Sequence, residues 1–152
     1  MLKYLYNKIR ELLNHTVGIV SDYIPQYKTS GAACFDLESA QTHTFQKNEL
    51  FVLGTGIRAE IPDGYCLLVF SRSSLGLKKV IIPNSVGVID ADYRGEIKVP
   101  LLYLGDDNLT IESGQRIAQA MLLKVTKAKL IKKDILSSTI RNTGGFGSTD
   151  IK

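Results

Sequence analysis

Two segments place chemically capable side chains directly after an apolar run, and the first of them reads "SRSSLGLK", residues 71–78. Arg72 offers a planar fork of N–H donors suited to phosphate oxygens, and Ser73 and Ser74 add hydroxyl and backbone donors. A loop that leaves a rigid strand can hold such donors so that they converge. The alternative is a polar turn with a solvated arginine, which this segment alone leaves open.

The second segment reads "PNSVGVIDADYRGEIKV", residues 83–99. Two apolar runs flank "DADYRG", which predicts a β-hairpin with a polar tip. Asp90 follows the first run, and a carboxylate at the edge of a core can hold and deprotonate a water. Tyr93 offers a flat face for a sugar or a base. Alternatively, Asp90 and Asp92 are turn residues that bond their own backbone, which suits Asp92 better because Asp90 precedes the turn.

A third polar cluster lies in "GQRIAQAM", residues 114–121, at the start of a predicted strand. Strand geometry predicts that Arg116 and Ala118 point one way and that Ile117 and Gln119 point the other. Among apolar neighbours Gln119 needs a hydrogen-bond partner. A satisfied buried glutamine and a ligand-binding glutamine are both open at this point.

The fourth cluster is "RNTGGFGSTD", residues 141–150. Its glycines allow backbone to approach a ligand closely, and successive N–H groups can bind an anion. Arg141 and the hydroxyls of Ser148 or Thr149 would add phosphate donors, while Phe146 is free to lie on a base. A flexible tail would explain the glycines but not the arginine and phenylalanine. Together the four clusters suit a nucleoside triphosphate and an activated water.

The elements that must position these side chains are short strands. Ile97, Val99 and Leu101 alternate with Lys98, Pro100 and Leu102. Residues 65–70 form an apolar run typical of a strand buried on both faces. Turn signals recur about every 8 to 12 residues, which is typical of an all-β sandwich or barrel. After residue 14 no stretch has a convincing helical period.

The N-terminus has a different pattern, that of a short amphipathic helix. One face would carry Leu2, Leu5, Ile9, Leu12 and Leu13. We expect this helix to pack on the domain or on a sister subunit, with a membrane-surface or partner-docking role as the alternative. The chain is thus divided into a helical extension (1–14), a β-barrel (15–140) and a glycine-rich arm (141–152).

Composition narrows the class of protein. The 152 residues suit one domain, and 44% hydrophobic with 22% charged residues is ordinary for a globular chain. No apolar run is long enough for a membrane span, and no secretory signal is evident, so a cytoplasmic location is expected. Cys34 and Cys66 are expected to be buried free thiols. A net charge of +4 suits an anionic ligand, but its scattered basic residues do not favour nucleic acid.

In order along the chain, "GAACFDLES", "SRSSLGLK", "PNSVGVIDADYRGE", "RIAQAM" and "RNTGGFGSTD" resemble the five motifs of the trimeric deoxyuridine triphosphatases, or dUTPases. The resemblance covers nearly all of residues 20–150. It implies a jelly-roll-like β-barrel that forms a homotrimer, with each C-terminal arm closing over a site on a neighbouring subunit. It also implies hydrolysis of dUTP to dUMP and pyrophosphate, which limits uracil incorporation into DNA and supplies dUMP for thymidylate synthesis.

The resemblance further implies a role for each matching residue. Asp90 would be the general base that orients water for attack on the α-phosphorus. Tyr93 would pack under the deoxyribose and exclude a 2′-hydroxyl. The uracil edge would be read by Asn84 and by the backbone of Gly87 and Lys98.

The resemblance implies phosphate binding for several residues of the barrel and of the arm. The barrel would contribute Arg72, Ser73, Ser74 and Gln119. In the arm, Arg141 would grip the γ-phosphate and Phe146 would stack on uracil. Further arm donors would be Gly147, Ser148 and Thr149. Asp36 and Arg116 would be supporting residues, and Mg²⁺ would be held by phosphate oxygens and water with no direct protein ligand.

The sequence departs from the family pattern at several positions outside the assigned chemistry. Asn142 stands where glycine is common, but asparagine tolerates left-handed backbone. Asp150 replaces a usual glycine and adds negative charge near the phosphates, which would weaken closure of the arm. The alternatives to a dUTPase are a dCTP deaminase on the same barrel, a nucleotide-binding regulatory module, and a basic RNA-binding barrel. The complete fifth motif favours the hydrolase over the deaminase.

Overall fold

The computed structural model describes residues 1–6 and 16–146. Residues 2–6 are helical, as expected, and the rest of the predicted N-terminal helix lies outside the described residues. The elements that follow are strands β1 (Gly18–Val20), β2 (Phe35–Glu38), β3 (His43–Phe45), β4 (Leu50–Glu60) and β5 (Tyr65–Phe70), helix α1 (Ser73–Leu77), and strands β6 (Val80–Ile81), β7 (Gly87–Ile89), β8 (Glu96–Tyr103), β9 (Leu109–Ile111) and β10 (Arg116–Lys124). The chain is all-β, as predicted.

Two four-stranded antiparallel sheets enclose one core. Their strand orders are β1-β4-β8-β6 and β2-β10-β5-β7, and β3 pairs with β9 in a third, two-stranded sheet. Both large sheets contribute to a single apolar cluster, with Leu53 and Val99 from one and Leu37 and Leu67 from the other. This arrangement agrees with the sandwich or barrel that the sequence pattern predicts and with the jelly-roll-like architecture that the family resemblance implies.

The alternation predicted for β8 is confirmed. Ile97, Val99 and Leu101 are each 1% exposed, whereas Lys98 between them is exposed. In its partner strand β4, a bulge between Gly54 and Arg58 would leave backbone groups unpaired. The buried Thr55 hydroxyl fills this gap by donating to Ile97 O at 2.7 Å and accepting from Ile57 N at 3.2 Å.

Four expectations about local structure are wrong, and the first two concern the segment after β5 and Cys34. The polar segment after β5 is not only a turn, because Ser73–Leu77 form helix α1, anchored by the buried Leu75. A helix of five residues is too short to show a period in the sequence. Cys66 is buried, but Cys34 precedes β2 and is only half-buried.

The predicted hairpin over residues 83–99 is also wrong. Strand β7 pairs with β5 in one sheet, and β8 pairs with β4 and β6 in the other. Each strand finds its partner far away in the sequence, which an apolar pattern cannot reveal. The two strands therefore border an opening between the sheets.

The predicted faces of β10 change at a bulge between Arg116 and Ala118. Because the bulge inserts one residue, Ile117 and Ala118 are both buried, and Gln119 does not share a face with Ile117. No helix within residues 1–6 and 16–146 is long and apolar enough to span a membrane.

Candidate functional site

One buried carboxylate joins two arginines that lie far apart in the sequence. Asp36 on β2 accepts from Arg72 Nε through Oδ1 and from Arg116 Nη1 through Oδ2, both at 3.0 Å. Arg72 Nη1 also donates to Arg116 O at 3.3 Å. The Asp36 side chain is only 13% exposed, so this carboxylate fixes both guanidinium groups by charge-assisted hydrogen bonds, Arg72 at 20% exposure and Arg116 at 42%.

Strand register brings the third polar cluster to the same place. Gln119 lies opposite Asp36 on one side of β10 and opposite Phe70 on the other. Its Nε2 donates to Ser71 O at 3.0 Å, which supplies the hydrogen bond that the sequence demands. Two residues later the chain begins α1 at Ser73, where Ser73 and Ser74 are exposed. These contacts gather donors at one end of the second sheet.

Asp90 lies immediately after β7 and is exposed. It lines a cavity of about 540 Å³ together with Cys66, Asp92 and Lys127, among others. Burial, and secondarily the negative charge of Asp90, raises the pKa of the Cys66 thiol. The thiol is therefore held neutral beside the carboxylate, and Asp90 has the strand-end position predicted for it.

A smaller cavity of about 130 Å³ lies between β7 and β8, and Asn84, Gly87 and Lys98 are among the residues that line it. Strand β7 pairs only with β5 among the described strands, and β8 pairs with β6 only at Leu102 and Tyr103. Backbone groups on both sides of the opening can therefore hydrogen-bond a flat ligand. A Cβ added at Gly87 would lie 3.2 Å from Val69 Cβ, so β7 and its partner β5 approach closely along one wall of this cavity.

Tyr93 lies in the turn between β7 and β8. Its backbone N–H donates to Asp90 O at 3.2 Å, its hydroxyl donates to Glu96 O at 3.1 Å, and the residue is 45% exposed. The turn thus ties the carboxylate and the aromatic ring into one short segment. Sequence reasoning missed Glu96, although "YRGE" stands next to the ring.

The arm residues that are described do not join this cluster. Arg141 Nε donates to Gly144 O within the arm at 2.9 Å, and Phe146 is fully exposed. Asn142 has φ +45°, which agrees with the prediction that it tolerates left-handed backbone. The remaining predicted arm donors, Gly147, Ser148 and Thr149, and also Asp150, lie outside the described residues.

No group of three His, Cys, Asp or Glu side chains within residues 1–6 and 16–146 is arranged to hold a metal ion. Asp36, Arg72 and Arg116 together carry a net charge of +1. Since a triphosphate carries several negative charges, these side chains alone leave it under-neutralised. The donor set therefore fits a ligand that brings its own cation.

Comparison with known proteins gives consistent results. The family model described as dUTPase matches residues 22–150. The deoxyuridine 5′-triphosphate nucleotidohydrolase of Hydrogenobaculum sp. is 42% identical over 99% of this chain and 100% of its own. That of Helicobacter hepaticus is 38% identical over 99% of this chain and 92% of its own. A mutant dUTPase of Staphylococcus bacteriophage 80alpha with dUpNHpp has a TM-score of 0.79 at 24% identity, over 88% of this chain and 98% of its own, which supports the fold.

Proposed function

The chain belongs to the dUTPase family, and we propose how its residues hydrolyse dUTP to dUMP and pyrophosphate. The observation that carries the proposal is the register that joins Asp36, Gln119 and Arg72 at one end of a sheet. Asp90 acts as the base from the end of β7 that lies beside Cys66, which is the opposite end of β5 from Arg72. The base and the phosphate donors of one site therefore come from neighbouring subunits of the homotrimer proposed below. Phosphoryl transfer depends mostly on positioning the reacting groups and on stabilising the charge of the phosphates, and such a cluster can do both.

The base of the substrate occupies the cavity between β7 and β8. Asn84 and the backbone of Gly87 and Lys98 read the uracil edge, because they line this cavity and backbone edges border it. Cytosine presents the wrong donors and would leave buried polar groups unpaired. The narrow opening rejects the methyl group of thymine.

The triphosphate lies along the donors of Arg72, Ser73, Ser74 and Gln119. Asp36 and Arg116 act as supporting residues, since Asp36 holds both guanidinium groups in place. Each guanidinium has five N–H donors, more than the contacts within the described residues use. The remaining donors are available to phosphate oxygens.

Asp90 orients a water and accepts its proton as the water oxygen attacks the α-phosphorus. The bond between the α-phosphorus and the bridging oxygen breaks, and pyrophosphate leaves with the bonding electrons. Tyr93 packs under the deoxyribose and leaves no room for a 2′-hydroxyl. Mg²⁺ would be held by the phosphates and water rather than by side chains, and it would supply charge neutralisation.

A homotrimer completes the site in this proposal. Within one chain no hydrogen bond or ion pair joins the described part of the arm to Arg72, Arg116 or Tyr93, so we infer that the arm serves a neighbouring subunit. There Arg141 grips the γ-phosphate, Phe146 stacks on uracil, and Gly147, Ser148 and Thr149 donate to phosphates. The segment before the arm exposes apolar side chains that an assembly would cover, among them Leu130, Ile135 and Ile140.

We also propose a cellular location and a role for the N-terminus. The free thiols Cys34 and Cys66 suit a reducing compartment, and we infer the cytoplasm. Leu2 and Leu5 at the N-terminus are exposed, which suits either a sister subunit or another partner. We also propose that the chain divides into its helical extension, barrel and arm at residues 14 and 140.

Pyrophosphate release from dUTP, UTP, dCTP and dTTP, measured side by side with Mg²⁺ and with a chelator, tests the proposal. We expect release from dUTP alone and only with Mg²⁺. Release from none, with dUTP still bound, would instead indicate the nucleotide-binding module. Release of ammonia from dCTP would indicate the deaminase.

A further inference from the structure

The glycine after Arg94 occupies a place that no other residue could fill without moving the Tyr93 ring. A Cβ built on Gly95 would lie 2.5 Å from Tyr93 Cζ and 3.0 Å from Cε2, and it would overlap the hydroxyl oxygen still more closely. Gly95 is not among the glycines with positive φ, so alanine is allowed by its backbone. What glycine provides here is space for the ring.

The ring uses that space to reach a fixed acceptor. Tyr93 folds back over the turn, and its hydroxyl donates to Glu96 O at 3.1 Å. Glu96 is itself anchored at the start of β8, because its Oε1 accepts from Gly56 N at 2.9 Å and its Oε2 lies 3.8 Å from Lys98 Nζ. The acceptor is therefore set by the β4–β8 sheet rather than by the turn.

The backbone of the turn that carries the Tyr93 ring is held by the Arg94 side chain. Arg94 Nη1 donates to Ala91 O at 2.7 Å and to Tyr93 O at 3.1 Å. The turn from Asp90 to Tyr93 is closed by its own hydrogen bond. With the turn fixed and the hydroxyl bonded, the ring has one orientation, provided that residue 95 has no side chain.

We propose that Gly95 is a positioning residue for sugar selection, because its missing side chain lets Tyr93 lie where it excludes a 2′-hydroxyl. This inference rests on the function proposed above. A larger residue at 95 displaces the ring, and the sugar site then admits the ribonucleotide. Displacements of about 1 Å near reacting groups can cost on the order of a hundredfold in rate, so a measurable loss of selectivity is expected.

The fold contains a matched control for the steric effect. Tyr103 and Gly105 repeat the same spacing, the Tyr103 hydroxyl donates to Asp107 O at 2.6 Å, and a Cβ on Gly105 would overlap the Tyr103 ring. Tyr103 is only 6% exposed and packs in the core cluster, outside the cavities near Asp90 and Asn84. Gly105→Ala therefore creates the same kind of clash without touching the proposed sugar site.

The test compares kcat/KM for dUTP and UTP in Gly95→Ala and Gly105→Ala, with thermal unfolding of both. We expect the dUTP preference to fall about tenfold in Gly95→Ala, with the pH profile of kcat unchanged, because Asp90 keeps its place directly after β7. Gly105→Ala should lower Tm and keep the wild-type preference. An unchanged preference in Gly95→Ala, or an equal loss in Gly105→Ala, would overturn the inference.

A double-mutant cycle isolates the ring as the cause. In a Tyr93→Ala background, Gly95→Ala should change the preference no further, because no ring is left to displace. A further loss would show that Gly95 acts elsewhere. If Gly95→Ala does not fold, Tyr93→Phe tests the orientation of the ring by removing the hydrogen bond from the hydroxyl to Glu96 O. The preference for dUTP over UTP should fall several-fold in Tyr93→Phe, and a wild-type preference would contradict the proposal.

Failure of the inference and failure of the proposed function have different signatures. If the wild-type chain does not prefer dUTP over UTP, the proposed function fails whatever the variants do. If it does, and Tyr93→Ala loses the preference but Gly95→Ala keeps it, only the positioning role of Gly95 is refuted.

Discussion

Asp36 and Gln119 face each other across the β2–β10 ladder, although they are 83 positions apart in the sequence. The carboxylate of one residue holds two arginines, and the amide of the other is fixed to the carbonyl of Ser71. The pairing of β10 with β2 and with β5 thus brings one acceptor and the donors of two further sequence motifs to one place. A slip by one residue would turn these side chains to the opposite face of the sheet and dismantle the proposed phosphate site.

Replacing Asp36 by Asn should separate the two arginines from their shared anion. We expect unfolding free energy to fall by roughly 1–3 kcal/mol, since hydrogen bonds to charged groups are lost. The kcat/KM for dUTP should fall by about tenfold to a hundredfold as the donors lose their orientation. Denaturant unfolding and steady-state kinetics measure the two effects.

Asp106→Asn is the matched control for that change. Asp106 also bridges two cations, Lys47 and Lys79, but its side chain is 67% exposed and lies away from the arginines. Removal of this exposed pair should change stability little. A large kinetic effect in Asp106→Asn, or none in Asp36→Asn, would contradict the role given to Asp36.

Ending the chain at residue 140 should abolish most turnover while leaving the barrel folded. Within the described arm, the bonds of Arg141 stay inside the arm, so the barrel loses little when the arm is removed. We expect roughly a hundredfold lower kcat/KM, an unchanged Tm, and a light-scattering mass near three times that of the chain. Full activity without residues 141–152 would refute the arm as part of the site.

Acid should weaken the fold partly through Glu49. The Gln46 N–H and then the His43 ring hold the pKa of the Glu49 carboxyl below its ordinary value. A depressed pKa stabilises the folded chain above the unfolded value of about 4.3, and this contribution disappears as the pH falls through the folded pKa. Glu49→Gln should therefore flatten the acidic limb of stability against pH, measured by urea midpoints. An identical limb in the variant would exclude Glu49 as a contributor.

The sequence predicts the strands of the fold better than their pairing. In β8 the alternation of Ile97, Val99 and Leu101 follows directly from one buried face, which is a local rule. The pairing of β7 with β5 could not be predicted, because partner choice depends on contacts distant in sequence. The helix α1 could not be predicted for another reason, because five residues are too few to show a helical pattern of apolar side chains.

For the candidate site, too, local features could be predicted and long-range pairing could not. Asp90 and Arg72 were predicted from their residue types and from their place after apolar strands. The sequence did not reveal that Asp36 would bridge two arginines, since this requires the register of β10 against β2. Gly95 looked like a turn residue, and only the position of the Tyr93 ring shows that its lack of a side chain is needed.

The central claim is that Asp90 activates the attacking water, and Asp90→Asn tests it most directly. Asparagine keeps the shape of the side chain but cannot accept the proton, so dUTP binding by calorimetry should persist while Mg²⁺-dependent pyrophosphate release disappears. Asp92→Asn, the same change two residues away, should keep most of the turnover. Wild-type turnover in Asp90→Asn would contradict the account and remove Asp90 as the base.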